Sequence, residues 1–143
     1  MPYCTLGDIK DHIPEANIIQ LTDDEGLGVV NQSRVDKAIT TADSVIDGYL
    51  RGRYSLPLST VPELIKTIAI DIAVYKLYER RNELEMSETM SMRYKNAVKM
   101  LEQLQKGLIK LGIESATGPG QGYYKTNKTT DDRTFSKDVL SKF

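Results

Sequence analysis

At 143 residues the chain is long enough for one domain with its own core, and 40% apolar with 27% charged residues is a globular balance. A formal charge of −1 argues against a dedicated duplex-DNA binder, which carries a basic excess for phosphate contacts. The single cysteine, Cys4, excludes an intrachain disulfide or Cys-rich zinc site, and the single histidine, His12, argues against a His-ligated metal site or a Ser–His catalytic arrangement.

No metal or other cofactor is therefore expected; Cys4 reads as a small buried thiol and His12 as a surface imidazole. The charge is uneven: residues 1–32 carry one Lys against six acids, whereas residues 33–114 and 115–143 each carry a net +2. No charged-then-apolar leader pattern is present, and the most apolar run, Ile68 to Val74, is short and broken by Asp71. The expectation is a protein of a cytoplasm-like compartment with no membrane partner.

Thr5 with Asp8 has the spacing of a helix N-cap and its acidic partner, and Leu6, Ile9 and Ile13 give one apolar edge. Pro14 ends that turn or starts the next, Glu15 to Leu21. The following LTDDEGLGVVNQSR invites comparison with a calcium loop. Counting from Asp23, however, Leu27 falls at the fifth position and Arg34 at the twelfth, where oxygen ligands are required. A tight acidic turn is the better reading, with Gly26 and Gly28 in left-handed conformations and Val29 and Val30 anchoring the exit.

Ser33 with Asp36 marks the next cap, and Val35, Ala38, Ile39, Ala42, Val45, Ile46, Tyr49 and Leu50 form one stripe of a helix from about Arg34 to Leu50. Its polar face carries Lys37, Thr40, Asp43, Ser44 and Asp47. RGRYSLPLSTVP is too rich in Gly and Pro for regular structure and reads as an extended connector. Pro62 suits the first position of a helix reaching about Arg81, whose apolar residues cover most of its circumference. That marks it as the centre of the core.

After a polar pause from Asn82 to Ser91, a third long helix carries Tyr94, Ala97, Val98, Leu101, Leu104 and Leu108 and closes at Gly107. Leu108 to Ile113 fits a short strand or a last turn equally. From Ser115 the chain turns polar and Gly-rich, then regains Phe135, Val139, Leu140 and Phe143 on one side of a short helical spacing. The expected fold is mainly α: a helical domain over 1–114 with three longer helices and short N-terminal ones, then a linker and docking arm over 115–143. The arm's partner groove is expected on a neighbouring subunit rather than its own.

No phosphate loop, nucleophile elbow or catalytic cluster stands out, so no catalytic residue is assigned and the chain reads as a non-enzyme. Asp71, the one charge set within an apolar helix, needs a partner; Arg51 or Arg53 from the connector is the expectation. The tyrosines, with Arg51, Arg53, Arg80 and Arg81, are compatible with base stacking but fit core margins and interfaces better.

The segment DGYLRGRYSLPL, Asp47 to Leu58, with VPELIKTIAIDIAVYKLYERR after it, resembles a family of Mu-like phage and prophage proteins. YCTLGDIKDHI, LTDDEGLG and the terminal RTFSKDVLSKF are similar to the same family's N-terminus, acidic turn and closing motif, though Leu27 departs from its calcium-loop pattern. The resemblance implies a product encoded between capsid and tail genes, with a helical fold related to head–tail connectors. Such subunits form rings at the virion neck, touching copies of themselves and portal, capsid and tail proteins, with DNA passing non-specifically through the lumen. A tail-completion or tail-terminator subunit is the alternative within that structural class, and a helical DNA-binding regulator is a more distant one. Asp47, Tyr49, Gly52, Arg53, Tyr54, Pro57, Asp71, Arg133, Phe135, Leu140 and Phe143 are the structural and interaction candidates.

Overall fold

A computed structural model describes residues 2–113, which form five helices and, among the described residues, no strand. They are α1 (Leu6–Lys10), α2 (Glu15–Thr22), α3 (Gln32–Leu50), α4 (Glu63–Arg80) and α5 (Glu88–Lys106). The arm candidates Arg133, Phe135, Leu140 and Phe143 lie outside the described residues.

α1 is short and begins at a capping box: Thr5 Oγ1 accepts from the Asp8 amide, and the Thr5 amide donates to Asp8 Oδ2 at 2.8 Å. Pro14 serves as the N-cap of α2 and so begins the second helix. The cap of α3 differs from expectation. Asn31, not Ser33, accepts from the Arg34 amide at 3.2 Å, and Ser33 lies in the first turn. Pro62 likewise sits at the N-cap of α4, one residue earlier than expected.

α4 packs against each of the other four helices, most extensively against α3 and then α5. Its buried residues, Ile65, Ile68, Ala69, Ile70, Ile72, Ala73, Val74 and Leu77, face in several directions, as expected of a central helix. α3 contributes Val35, Ala38, Ile39, Ala42, Ile46 and Leu50, and α5 adds Ala97, Leu101 and Leu104. One continuous apolar cluster results, and it takes in Tyr3, Cys4 and Ile13 from the N-terminal segment. Cys4 is buried and His12 exposed.

α5 ends at Gly107, whose φ of 76° lets the Leu108 amide return to the Gln103 carbonyl at 2.9 Å. That left-handed turn carries the chain off the helix axis, so Leu108, expected on the α5 stripe, is 74% exposed. The segment after it is neither strand nor helix. Val29 is a second correction: it stands 58% exposed at the acidic turn, and only Val30 packs onto the core.

Candidate interaction site: two grooves beside α3

The acidic turn is a knot of internal bonds. Gly26 and Gly28 take φ near 73° and 72°, and Asp23 accepts from the Leu27 and Gly28 amides at 2.9 and 2.6 Å. Glu25 makes a bidentate pair with Arg34 at 2.7 and 2.8 Å, and Arg34 also donates to the Thr22 carbonyl. Asp24 gathers Arg80 through two bonds at 2.6 and 2.8 Å, Arg81 at 2.7 Å and Arg34 at 3.4 Å. The Arg80 hydrogen bonds foremost, then those of Arg81, hold the Asp24 carboxyl well below the usual carboxylate range. The three consecutive acids are thus engaged by backbone amides and guanidinium groups, and they pin the entry of α3 to the exit of α4. Inside the turn, buried Thr22 donates to the Ile18 carbonyl and accepts from the Asn31 amide.

The connector after α3 closes the opposite end. The Tyr3 amide donates to Asp43 at 3.1 Å and the Tyr3 hydroxyl donates to Asp47, so α3 holds the N-terminal segment. Burial, then the Asp47 hydrogen bond, drives the Tyr3 phenol above its ordinary value. Burial is also the main reason that the Cys4 thiol is pushed up to about 12 and the Asp43 carboxyl is raised. Arg53 donates through Nε to the Gln105 carbonyl at 2.8 Å, reaching the end of α5. Tyr54 is buried, and its hydroxyl accepts from the Leu111 amide at 3.1 Å. Tyr49 is half-buried against the core, Gly52 and Pro57 are exposed, and the Leu56–Pro57 bond is cis. Asp47, Tyr49, Arg53 and Tyr54 therefore come together in one joint that binds the first and last described stretches of the chain.

Asp71 stands apart from that joint. Its partner is Arg93 of α5, at 3.2 Å, and not Arg51 or Arg53. The pairing with the connector fails because Asp71 lies midway along α4 on the side facing α5, while Arg53 is occupied at the end of the bundle. Among the described residues the tyrosines serve packing. Tyr75 and Tyr94 stack with ring centroids 3.8 Å apart across α4 and α5, and Tyr3 and Tyr54 are buried. Among the described residues no group of three or more His, Cys, Asp or Glu could hold a metal ion, and no helix is long and apolar enough to cross a membrane.

Two surface grooves run along opposite flanks of α3. One, of about 370 Å³, lies between α3 and α4 and is lined by Arg34, Lys37, Lys76, Arg80 and Glu79, with Arg34, Arg80 and Lys76 already paired to Glu25, Asp24 and Glu79. The other, of about 610 Å³, lies between α3 and the N-terminal segment. Among the described residues Asp36, Asp43 and Asp47 line it with no basic side chain, and Leu6, Ile39 and Pro57 supply apolar surface. The three acids recur at helical spacing on one flank of α3, so the sequence did signal this face, but only as a generic polar one. The opposing wall comes from residues 2–6 and Pro57, which no local pattern assigns to it. Exposed Leu27 at the acidic turn is an apolar feature that sequence reasoning also missed.

Comparison with known proteins gives a consistent result. The family model described as Bacteriophage Mu, Gp36 matches residues 3–125. The chain is 30% identical over 139 residues to Gene product J of Escherichia phage Mu, a match covering 96% of each protein. It is also 33% identical over 84 residues to the Mu-like prophage FluMu protein gp36 of Haemophilus influenzae, covering 59% of this chain and 57% of that protein.

Proposed function

The chain belongs to the Bacteriophage Mu Gp36 family, and from that premise we propose that it is a non-catalytic head–tail connector subunit that assembles as a ring at the phage neck. The observation that carries this reading is the acidic, partly apolar groove between α3 and the N-terminal segment, a recessed face with three carboxylates. A ring closes through heterologous contacts, in which one face of a subunit meets a different face of the next. A groove lined by three carboxylates opposes pairing with the same groove of another copy, since like charges brought together cost free energy, and so favours a contact with a different, basic part of the next subunit.

The internal use of charge supports the same reading. The acidic turn and the connector joint stiffen a small helical body at both ends, and their polar groups are engaged with one another. A passage for DNA must also avoid gripping phosphate, and a formal charge of −1 with an acidic N-terminal third suits that demand. Its partners in this proposal are copies of itself together with portal or capsid and tail proteins. It meets them in the bacterial cytoplasm during assembly and stays at the virion neck.

Electron microscopy of Mu-type particles carrying a labelled copy of this chain tests the proposal. A ring of label between head and tail is the expected result, with filled heads and unjoined tails accumulating when the chain is withheld. Label absent from the particle, or normal joining without the chain, would overturn it. Deleting residues 133–143 is expected to leave the unfolding transition of the helical body in place while abolishing ring formation. Loss of the cooperative transition would place those residues in the subunit's own core.

A further inference from the structure

We propose that the acidic groove between α3 and the N-terminal segment is the seat for residues 133–143 of a second copy of this chain. The inference rests on the ring reading above and names the contact that would close it.

Charge decides between the two grooves. Residues 133–143 carry Arg133, Lys137 and Lys142 against Asp138, a net of +2, interleaved with Phe135, Val139, Leu140 and Phe143. The α3–α4 groove offers such a segment no spare carboxylate: its one lining acid, Glu79, is paired with Lys76, and the acids beside it, Asp24 and Glu25, hold Arg80 and Arg34. The other groove presents three carboxylates with apolar surface between them, matching both the sign and the amphipathic spacing of the segment. Asp43 and Asp47 are held in place there by Tyr3, so two of the three carboxylates are fixed before anything docks.

Reach allows either the subunit's own groove or its neighbour's. Leu111 is tied to Tyr54, three residues before Pro57, which lines the groove; the chain therefore departs close to its own groove's rim. Nineteen residues, 114–132, separate the last described residue from Arg133. Fully extended, they span roughly 60 Å, against a radius of gyration of about 13 Å for a domain of this size. That length also carries residues 133–143 to the same groove of an adjacent subunit, and the ring reading selects the neighbour over the subunit's own groove.

The test is isotope-resolved cross-linking on the full chain. A light chain with a photo-crosslinking residue in place of Phe135 is mixed with an isotopically heavy chain, irradiated and digested. Light–heavy peptides joining position 135 to residues 2–6 or 36–47 are expected. Their yield should fall roughly fivefold with Asp36→Lys and recover when Lys137→Glu is placed on the arm, since an exposed pair is worth up to about 1 kcal/mol. Asp36 is exposed and its side chain bonds only Gln32 of its own helix, so the fold survives that change. Cross-links confined to single chains, cross-links to the α3–α4 groove, or none would each overturn the proposal. The connector reading fails separately: neck rings without these cross-links would remove only this inference, whereas the cross-links in a chain absent from virions would remove the connector reading.

Discussion

The two ends of the helical bundle are closed by different physics. At the end where α2 turns into α3, the joint is ionic: Asp24 and Glu25 meet Arg34, Arg80 and Arg81 with side chains that remain between 24 and 49% exposed. At the end where α3 passes into α4, Tyr3, Tyr54 and Leu58 are buried, and the polar contacts of Arg53 and Tyr54 run to backbone groups of residues 105 and 111. Exposed ion pairs contribute little each and weaken with salt, while buried aromatic rings contribute several kcal/mol and respond weakly to salt. The bundle is therefore anchored at the connector and only registered at the acidic turn.

The sharpest way to break that comparison is at Tyr54. Tyr54→Ala is expected to cost about 3–5 kcal/mol in urea unfolding, because it opens a cavity under the connector. Tyr54→Phe, which removes only the acceptor for Leu111, should cost about 1 kcal/mol. Gly107→Ala comes next, at about 1–3 kcal/mol, since its φ of 76° is strained for any other residue. The new methyl would also enter the space of the Arg53 guanidinium. Arg53→Ala in that background should relieve the clash but not the backbone strain, so the two losses should combine to less than their sum.

At the ionic end, Asp24→Asn should produce a smaller loss, most of which vanishes in molar salt. Its pH dependence has a definite sign. Arg80 and Arg81 depress the folded Asp24 carboxyl, so the folded state binds fewer protons than the unfolded one over that range. The contribution is complete above the ordinary carboxylate value of about 4 and is lost as pH falls below it. A loss that equals that of Tyr54→Ala, or that persists unchanged in salt, would reverse the comparison between the two ends.

Much of this arrangement was legible in the sequence where a local rule acts alone. The Thr5–Asp8 box, the end of α5 at Gly107 and the all-round apolar character of α4 are local, and each appears as expected. Where two local rules compete, the sequence misleads. Ser33 and Asn31 are both good caps, and the contest falls to Asn31, whose amide is already tied to Thr22 by the acidic turn. Leu108 keeps helical spacing, but the left-handed turn just before it removes it from the stripe. The Asp71 partner and the walls of the acidic groove depend on which helix faces which, a property of the packed bundle rather than of any segment. Asp47, Arg53 and Tyr54 were named as interaction candidates from the family resemblance alone; the contacts by which they join the chain's first and last described stretches were not readable from it.

The smallest effect, and the one that most sharpens the contrast, belongs to Asp71, midway between the two ends. Its side chain is only 14% exposed, and burial raises the carboxyl above its usual range while Arg93, and more weakly His12, pull it back. The sign is opposite to that of Asp24. A raised folded value means that the folded state holds the proton more tightly, so this site favours folding most below about pH 4 and loses that advantage as pH rises through the folded value. Near neutral pH the ionised Asp71 is a half-compensated burial, and Asp71→Asn should leave stability almost unchanged or raise it slightly. Arg93→Ala should cost more, because it leaves the buried carboxylate beside α5 without its ion-pair partner; adding Asp71→Asn should then recover most of that loss. Thermal melts of the three variants from acid to neutral pH measure both predictions together. A substantial loss for Asp71→Asn at neutral pH, with an unaltered pH slope, would mean that the Asp71–Arg93 pair is itself an anchor and that the connector does not hold the bundle alone.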